Sequence, residues 1–257
     1  MVIEYKKENK IAIFTINRPE AANAMRLQDF QDLHNAIIDF RDDNNLLVGI
    51  ITGAGEKVFS AGVDLKEFMP FLKKSVRKPW LIPGTTVRRL DLYKPMIAAV
   101  NGAALGFGCE ITLGCDMRFA SENAVFGLPE VTLGAFPGGS STQRLPRLIP
   151  PGLAAEMLFT GKRIDAQEAY RIGLVNKVVP IGQVLPAAKE VAERICQASP
   201  LSVKSVKECM IRGCFNMTLN EGLTLEETIQ PYVFESKDFQ EGISAYLEKR
   251  KPIFKGE

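Results

Sequence analysis

Residues able to do chemistry gather in three stretches of this chain. The first is Asn101–Glu110, "NGAALGFGCE", which follows the apolar run "MIAAV" and sets Gly102, Gly106 and Gly108 ahead of a single acid, Glu110. Glycine weakens helices and carboxylates avoid cores, so the stretch carries two costs at once. A helix starting near Gly106, directly after a buried strand and turn, gives both a purpose. Its first N–H groups have no partner within the helix, its dipole places partial positive charge there, and glycine lets a ligand reach the backbone. Such an end can hold negative charge developing on an oxygen, with Glu110 in the first turn beside it. The plainer alternative is a tight turn that packs helix on strand.

The second stretch, "GEKVFSAGVDLKEF" (Gly55–Phe68), also follows a buried run, contains the small residues Ser60, Ala61 and Gly62, and leads into a helical pattern. It can present another backbone N–H to the same oxygen. Two such donors form an oxyanion hole, in which losing one typically costs about 3–4 kcal/mol of transition-state stabilisation. The third, "FGLPEVTLGAFPGGSSTQRL" (Phe126–Leu145), places Glu130 after Pro129 in apolar surroundings, then runs through "PGGSS" into another helix. Glu110 and Glu130 suggest a paired acid/base site. The alternative for each is a buried acid satisfied by backbone donors.

The elements that must carry these stretches are legible as alternating runs. "IAIFTI" (Ile11–Ile16), "LLVGIIT" (Leu46–Thr52) and "MIAAV" (Met96–Val100) are short and continuously apolar, which predicts strands covered on both faces. Leu27, Phe30, Leu33, Ile37 and Phe40 recur at helical spacing before Leu46. "CEITLG" reads as a helix, and "MRFA" and "AVFG" as short strands. "DAQEAYRIG" (Asp165–Gly173) opens on a D-x-x-E capping box and closes on glycine. From Val184 the pattern is almost wholly helical, over Val184–Ala198, Leu201–Arg212, Leu219–Val233 and Phe239–Glu248. The fold class predicted is α/β with a helical C-terminal part. Phe68–Leu92 stands apart as a lid or irregular excursion, with the only tryptophan, Trp80, and with Pro79 and Pro83 breaking helical continuity.

Bulk properties exclude several functions. A chain of 257 residues can bury a large core, and a net charge of +2 argues against bulk-charge binding of nucleic acid or membrane. The five cysteines form no CxxC and no zinc-site spacing, which predicts reduced thiols and no metal. No apolar run approaches 18 residues and the N-terminus lacks an apolar leader, so an untargeted, soluble, cytoplasmic protein is expected. No G-x-G-x-x-G opens a helix, and no P-loop is present. His34, the only histidine, lies in the early amphipathic helix, which argues against a Ser-His-Asp hydrolase built on Ser60.

Taken in order, these stretches resemble the enoyl-CoA hydratase/isomerase (crotonase) family. The resemblance rests on "NRPEAANAM", "ITGAGEKVFSAGVDLKEF", "KPMIAAVNGAALGFGCEITLGCDMRFAS", "FGLPEVTLGAFPGGSSTQRLPR", "TGKRIDAQEAYRIGLVNKVV" and the C-terminal "YLEKRKPIFK", which together span nearly the whole chain. It implies a crotonase-like spiral of ββα turns over residues 1–195 and a helical C-terminal oligomerisation region over 196–257, assembling a homotrimer or a dimer of trimers. It implies a lyase of fatty acid metabolism that hydrates an α,β-unsaturated acyl-CoA, or runs the reverse dehydration. The relatives of that resemblance also include Δ3,Δ2-enoyl-CoA isomerases and hydratases of cyclic or carnitine-related thioesters.

By the same resemblance, the oxyanion donors are the N–H groups of Ala61 and Phe107. Glu110 takes the proton of the attacking water and Glu130 protonates Cα. Coenzyme A, part of the substrate and not a separate cofactor, meets Ala22 and Gly62, Val63, Asp64, Leu65 and Lys66, with Tyr246 and Lys249 reaching a neighbouring subunit's coenzyme. Phe107 stands in the middle of the family's usual "GGG", so its ring must turn away from the thioester or shape the pocket. Glu20 occupies a place where a basic residue is frequent.

Overall fold

The computed structural model of the chain describes residues 2–75 and 90–257, so most of the Phe68–Leu92 excursion, Trp80 included, lies outside the described residues. The apolar runs form one sheet. β1 (Ile3–Glu8) and β2 (Ile11–Ile16) make an antiparallel hairpin, and β3 (Val48–Gly53), β5 (Met96–Val100), β7 (Met117–Ser121) and β10 (Lys177–Val179) continue it in parallel, in the order β1-β2-β3-β5-β7-β10. A second sheet holds β4 (Val58–Ser60), β6 (Ala103–Leu105), β8 (Val125–Gly127) and β9 (Arg163–Asp165) in that order. β3, β5 and β7 are each followed by a short strand of the second sheet and then by helix. That repeat is the ββα spiral the resemblance implied.

The period of 2 along β5 explains why its run is continuously apolar. Met96, Ala98 and Val100 join the main core with Phe14, Ile16, Phe59 and Phe126, while Ile97 and Ala99 face a second cluster with Ile13, Ile50, Val184 and Ala188. The second cluster is closed by α7 (Val184–Ile195), whose Val184, Ala188 and Ala192 are buried. α1 (Leu27–Asp42) buries Phe30, Leu33, Ile37 and Phe40 and half-buries Leu27, the residues whose helical spacing predicted it. Its C-terminal carbonyls of Phe40 and Asp43 accept from the buried Lys94 ammonium, both at 2.7 Å.

Helix α3 (Phe107–Leu113) begins directly after β6, and all of its residues from Gly108 to Leu113 are buried. Its other end is closed by Arg118 of β7, which donates through Nη1 to the carbonyls of Thr112 (3.1 Å) and Cys115 (2.7 Å). The close approach of α3 to β4 needs Gly108, where an added Cβ would stand 2.2 Å from the Ser60 carbonyl oxygen. α4 (Ser141–Leu148) and α5 (Pro151–Thr160) follow the 3₁₀ turn Pro129–Leu133, and α2 (Leu65–Ser75) follows β4.

α6 (Ala166–Arg171) departs from expectation in one detail: Asp165 accepts from the Glu168 N–H, but the Glu168 carboxylate turns to Arg171 instead of closing a capping box. α8 (Pro200–Asn216), α9 (Leu219–Phe234) and α10 (Lys237–Leu247) form the C-terminal helices. Beyond Pro200, Ala245 is the one buried hydrophobic residue among those described.

Replacing Gly108 by alanine should lower stability by about 1–3 kcal/mol or more, because the new methyl meets backbone and not a movable side chain. Gly152→Ala, with no atom within 4 Å of its added Cβ, should be neutral or slightly stabilising. Equal denaturation midpoints for the two variants would contradict this placement of α3 against β4.

Candidate active site

The site is assembled where the loop before α1 is stapled to β4 and its following turn. Arg18 Nη1 donates to Asp64 Oδ2 at 2.8 Å, and Asn23 Nδ2 donates to the carbonyls of Ala54 and Val58. Ala22 and Asn23 both hold positive φ, 52° each, which carries the chain through a tight reversal. The Met25 N–H donates to the Gly62 carbonyl and the Asp64 N–H to Met25, forming an isolated bridge between Met25 and Val63. Ala22 and the Gly62–Lys66 segment are thus neighbours, and Leu65 and Lys66 are exposed on the first turn of α2. The Ser60 hydroxyl donates to the Asn23 carbonyl and accepts from the Gly62 N–H, so it serves the turn and not as a nucleophile.

One expected donor is corrected. The Ala61 N–H already donates to the Ala22 carbonyl at 3.0 Å and is therefore not free to hold a substrate oxygen. The Val63 N–H, two residues on, has no acceptor among the described residues. The chain reverses at Gly62 (φ 96°), and a Cβ there would stand 3.0 Å from the Phe107 nitrogen, so this turn abuts the start of α3. The Phe107 N–H is the first of α3 and likewise has no acceptor among the described residues. The resemblance singled out Ala61, but which amide is free depends on backbone direction, a property that residue type does not carry.

One acid, Glu110, belongs to α3 itself, and the other, Glu130, comes from the 3₁₀ turn that reaches the start of the helix. Glu110 is 2% exposed, and its Oε1 accepts from the Gly139 N–H (2.8 Å), the Ser141 N–H (3.2 Å) and the Ser141 hydroxyl (2.8 Å). A Cβ on Gly139 would stand 2.2 Å from Glu110 Oε2, so glycine leaves room for the carboxylate. Burial pushes the Glu110 carboxyl up to about 7, with the hydrogen bonds from Ser141 and Gly139 opposing it and the charge of Glu130 adding to it. Glu130 approaches from the 3₁₀ turn, its Oε1 lying 3.2 Å from where a Cβ of Gly106 would be. Its Oε2 is buried with no partner among the described residues, and burial raises this carboxyl as well.

The ring of Phe107 packs edge-on against Phe30, centroids 4.8 Å apart at 61°, and its Cε2 lies 2.8 Å from the Cβ position of Gly139. The residue that replaces a glycine thus keeps its amide at the helix start and adds its ring to the wall beside Glu110. An apolar groove of about 320 Å³ adjoins the loop that holds Glu110, lined by Val131, Phe136, Pro137, Leu158 and Phe159 among others. Tyr246 is 82% exposed, and no hydrogen bond or ion pair among the described residues ties it or Lys249 to the site. Sequence reasoning did not single out the unspent Val63 N–H, nor Ser141 as a partner of Glu110. The serine was visible in "PGGSS", but only the fold shows that it faces an acid 31 residues earlier. No group of three or more His, Cys, Asp or Glu among the described residues is placed to hold a metal ion.

Buried Glu110, half-buried Glu130 and two unspent amides thus gather near the start of α3, and the ββα spiral that carries them is the crotonase fold. The family model for enoyl-CoA hydratase/isomerase matches residues 6–257, and the chain belongs to that family. It is 43% identical to a short-chain-enoyl-CoA hydratase of Clostridium acetobutylicum, over 96% of this chain and 94% of that protein. It is also 43% identical to a crotonyl-CoA hydratase of Syntrophomonas wolfei, over 97% and 96%. The crystal structure of an enoyl-CoA hydratase from Bacillus anthracis superposes with a TM-score of 0.93 at 40% identity, covering the whole of both chains.

The sign of the Glu110 shift gives a stability prediction. Its carboxyl sits above the ordinary value in the folded chain, so its favourable contribution is complete below about pH 4.5 and is lost as pH rises through about 7. Glu110→Gln should therefore melt above the parent at pH 8.5, by up to about 3 kcal/mol of stability, with the gap closing by pH 5. A gap that does not change with pH would contradict the burial of an ionisable group here.

Proposed function

We propose that Glu110 and Glu130 hold one water between them and add it across the C=C bond of an α,β-unsaturated acyl-CoA. The chain is an enzyme of the enoyl-CoA hydratase kind, a lyase, in keeping with the relatives it matches. The thioester oxygen sits between the N–H groups of Val63 and Phe107. Attack of water oxygen at Cβ moves electrons onto that oxygen, and the two amides and the α3 dipole stabilise the resulting enolate. Glu110 accepts a proton from the attacking water, and Glu130 delivers a proton to Cα as the enolate collapses. Water is consumed and a 3-hydroxyacyl-CoA results; the same steps in reverse dehydrate it.

The observation that carries this reading is a pair of carboxyls near the start of α3, Glu110 buried and Glu130 half-buried beside Gly106, both raised by desolvation. Close acids titrate as a pair and share a proton. That leaves one to act as base and the other as acid in a single encounter. Glu130 Oε2, buried with no partner, is the oxygen in need of a proton or a water.

Coenzyme A runs past Ala22 and along Gly62–Lys66, where exposed Lys66 offers positive charge to its phosphates. Residues 196–257 act as an oligomerisation region. Val206, Met210, Leu219, Tyr232, Tyr246 and Leu247 are exposed on its helices and offer apolar surface to neighbouring copies. A homotrimer or dimer of trimers covers them and brings Tyr246 and Lys249 toward a neighbour's coenzyme. The protein works in the cytoplasm, in fatty acid metabolism. Among the described residues no helix is long and apolar enough to cross a membrane.

Glu110→Gln and Glu130→Gln should each lower turnover of a short 2-enoyl-CoA about 10²-fold or more, read as loss of conjugated-thioester absorbance, while thioester binding stays nearly unchanged. Full hydration activity in either variant would remove that residue from the mechanism. Faster turnover of a 3-enoyl-CoA than of the 2-enoyl-CoA would instead make the enzyme an isomerase. Light scattering should give three or six protomers per particle; a monomer would sink the assignment of Tyr246 and Lys249 to a neighbour's site.

A further inference from the structure

We propose that Ser141 is a positioning residue for the general base, its hydroxyl holding Glu110 Oε1 in the carboxylate form so that Oε2 is left to receive the reacting proton. The inference rests on Glu110 acting as the base. It starts from an asymmetry: Oε1 takes all three hydrogen bonds made to this carboxylate by described residues, and Oε2 takes none. One oxygen is anchored and the other is free to do chemistry.

The hydroxyl is not consumed by the helix it starts. Ser140 is the N-cap of α4 and makes no side-chain cap bond, while Ser141 sits one position on. The Ser141 Oγ has two acceptors within reach, Glu110 Oε1 at 2.8 Å and the Pro137 carbonyl at 3.2 Å. A hydroxyl carries one proton. With Glu110 ionised, that proton points to the charge, where the bond is strongest. Once Glu110 has taken a proton from water, its pull weakens and the hydroxyl can turn to Pro137. The switch thus favours the ionised base before the reaction and does not oppose its neutral form afterwards.

The backbone gives independent support. Ser140 holds φ 102° and ψ −3°, a left-handed conformation that an L side chain rarely adopts. It lies between the two residues whose N–H groups meet Glu110, and Arg144 Nε donates to its hydroxyl at 3.1 Å, fastening it there. Strain retained beside a reacting group points to a functional placement of its neighbours.

The groups facing Glu110 are few. Glu130 comes from the 3₁₀ turn and the buried Cys109 thiol from α3 itself, and burial pushes that thiol up to about 12, so it stays neutral. α4 carries Arg144, engaged with Ser140, and the exposed Arg147; Arg118 lies at the far end of α3. None of these supplies the local donor to Oε1 that Ser141 does.

The test is the pH profile of kcat/KM for hydration of a short 2-enoyl-CoA by the whole enzyme, in the parent, Ser141→Ala, Ser141→Cys and Glu110→Gln. Ser141→Ala should move the acidic limb up by about one pH unit, with activity falling about 10-fold at pH 6 and staying within about 2-fold at pH 9. Ser141→Cys, which keeps a weak donor, should shift it less. An unmoved limb, or an equal fall at every pH, would overturn the role of Ser141 while Glu110→Gln remained inactive. An active Glu110→Gln would instead overturn the assignment of the base itself.

Discussion

The structure depends on one electrostatic compromise: a carboxyl group kept in dry protein by donors that meet only one of its oxygens. Glu110 sits where the first turn of α3 faces the start of α4. Water is replaced there by two backbone amides and a hydroxyl, an incomplete replacement that leaves burial to raise the acid's pKa. A fully solvated carboxylate is a weak base, and a fully desolvated one stays protonated. The intermediate environment comes from backbone geometry: the absent side chain of Gly139 and the reversed conformation of Ser140.

The remaining architecture delivers this arrangement. The parallel strands bring the ends of β4 and β6 side by side, and so set the turn after Ser60 against the start of α3. Gly108 permits the closest approach, while the buried Arg118 guanidinium secures the opposite end of that helix. The loop from Arg18 to Met25 then fixes the turn through Asp64, Asn23 and the Met25 bridge. That web explains why the Ala61 amide is spent on structure and the Val63 amide is not.

Much of this was legible before any coordinates. The runs Ile11–Ile16 and Met96–Val100 became strands over those same residues, and the acids Glu110 and Glu130 drew notice because carboxylates are costly in apolar settings. What escaped was directional. Residue type shows that a turn is small, but not which of its N–H groups points inward, and the resemblance placed the donor at Ala61. The Ser141–Glu110 bond joins residues 31 apart through tertiary packing, and the spacing of neither residue announces it. Phe107 posed a question about where its ring goes, and packing against Phe30 answers it.

The account stands on two amides and two acids acting on one thioester. The most direct measurement is a crystal structure of the enzyme with a short, unreactive acyl-CoA bound. The account predicts the thioester oxygen within hydrogen-bonding distance of both the Val63 and Phe107 nitrogens, and one water held between the carboxyls of Glu110 and Glu130. A thioester oxygen directed elsewhere, or carboxyls too far apart to share a water, would contradict it.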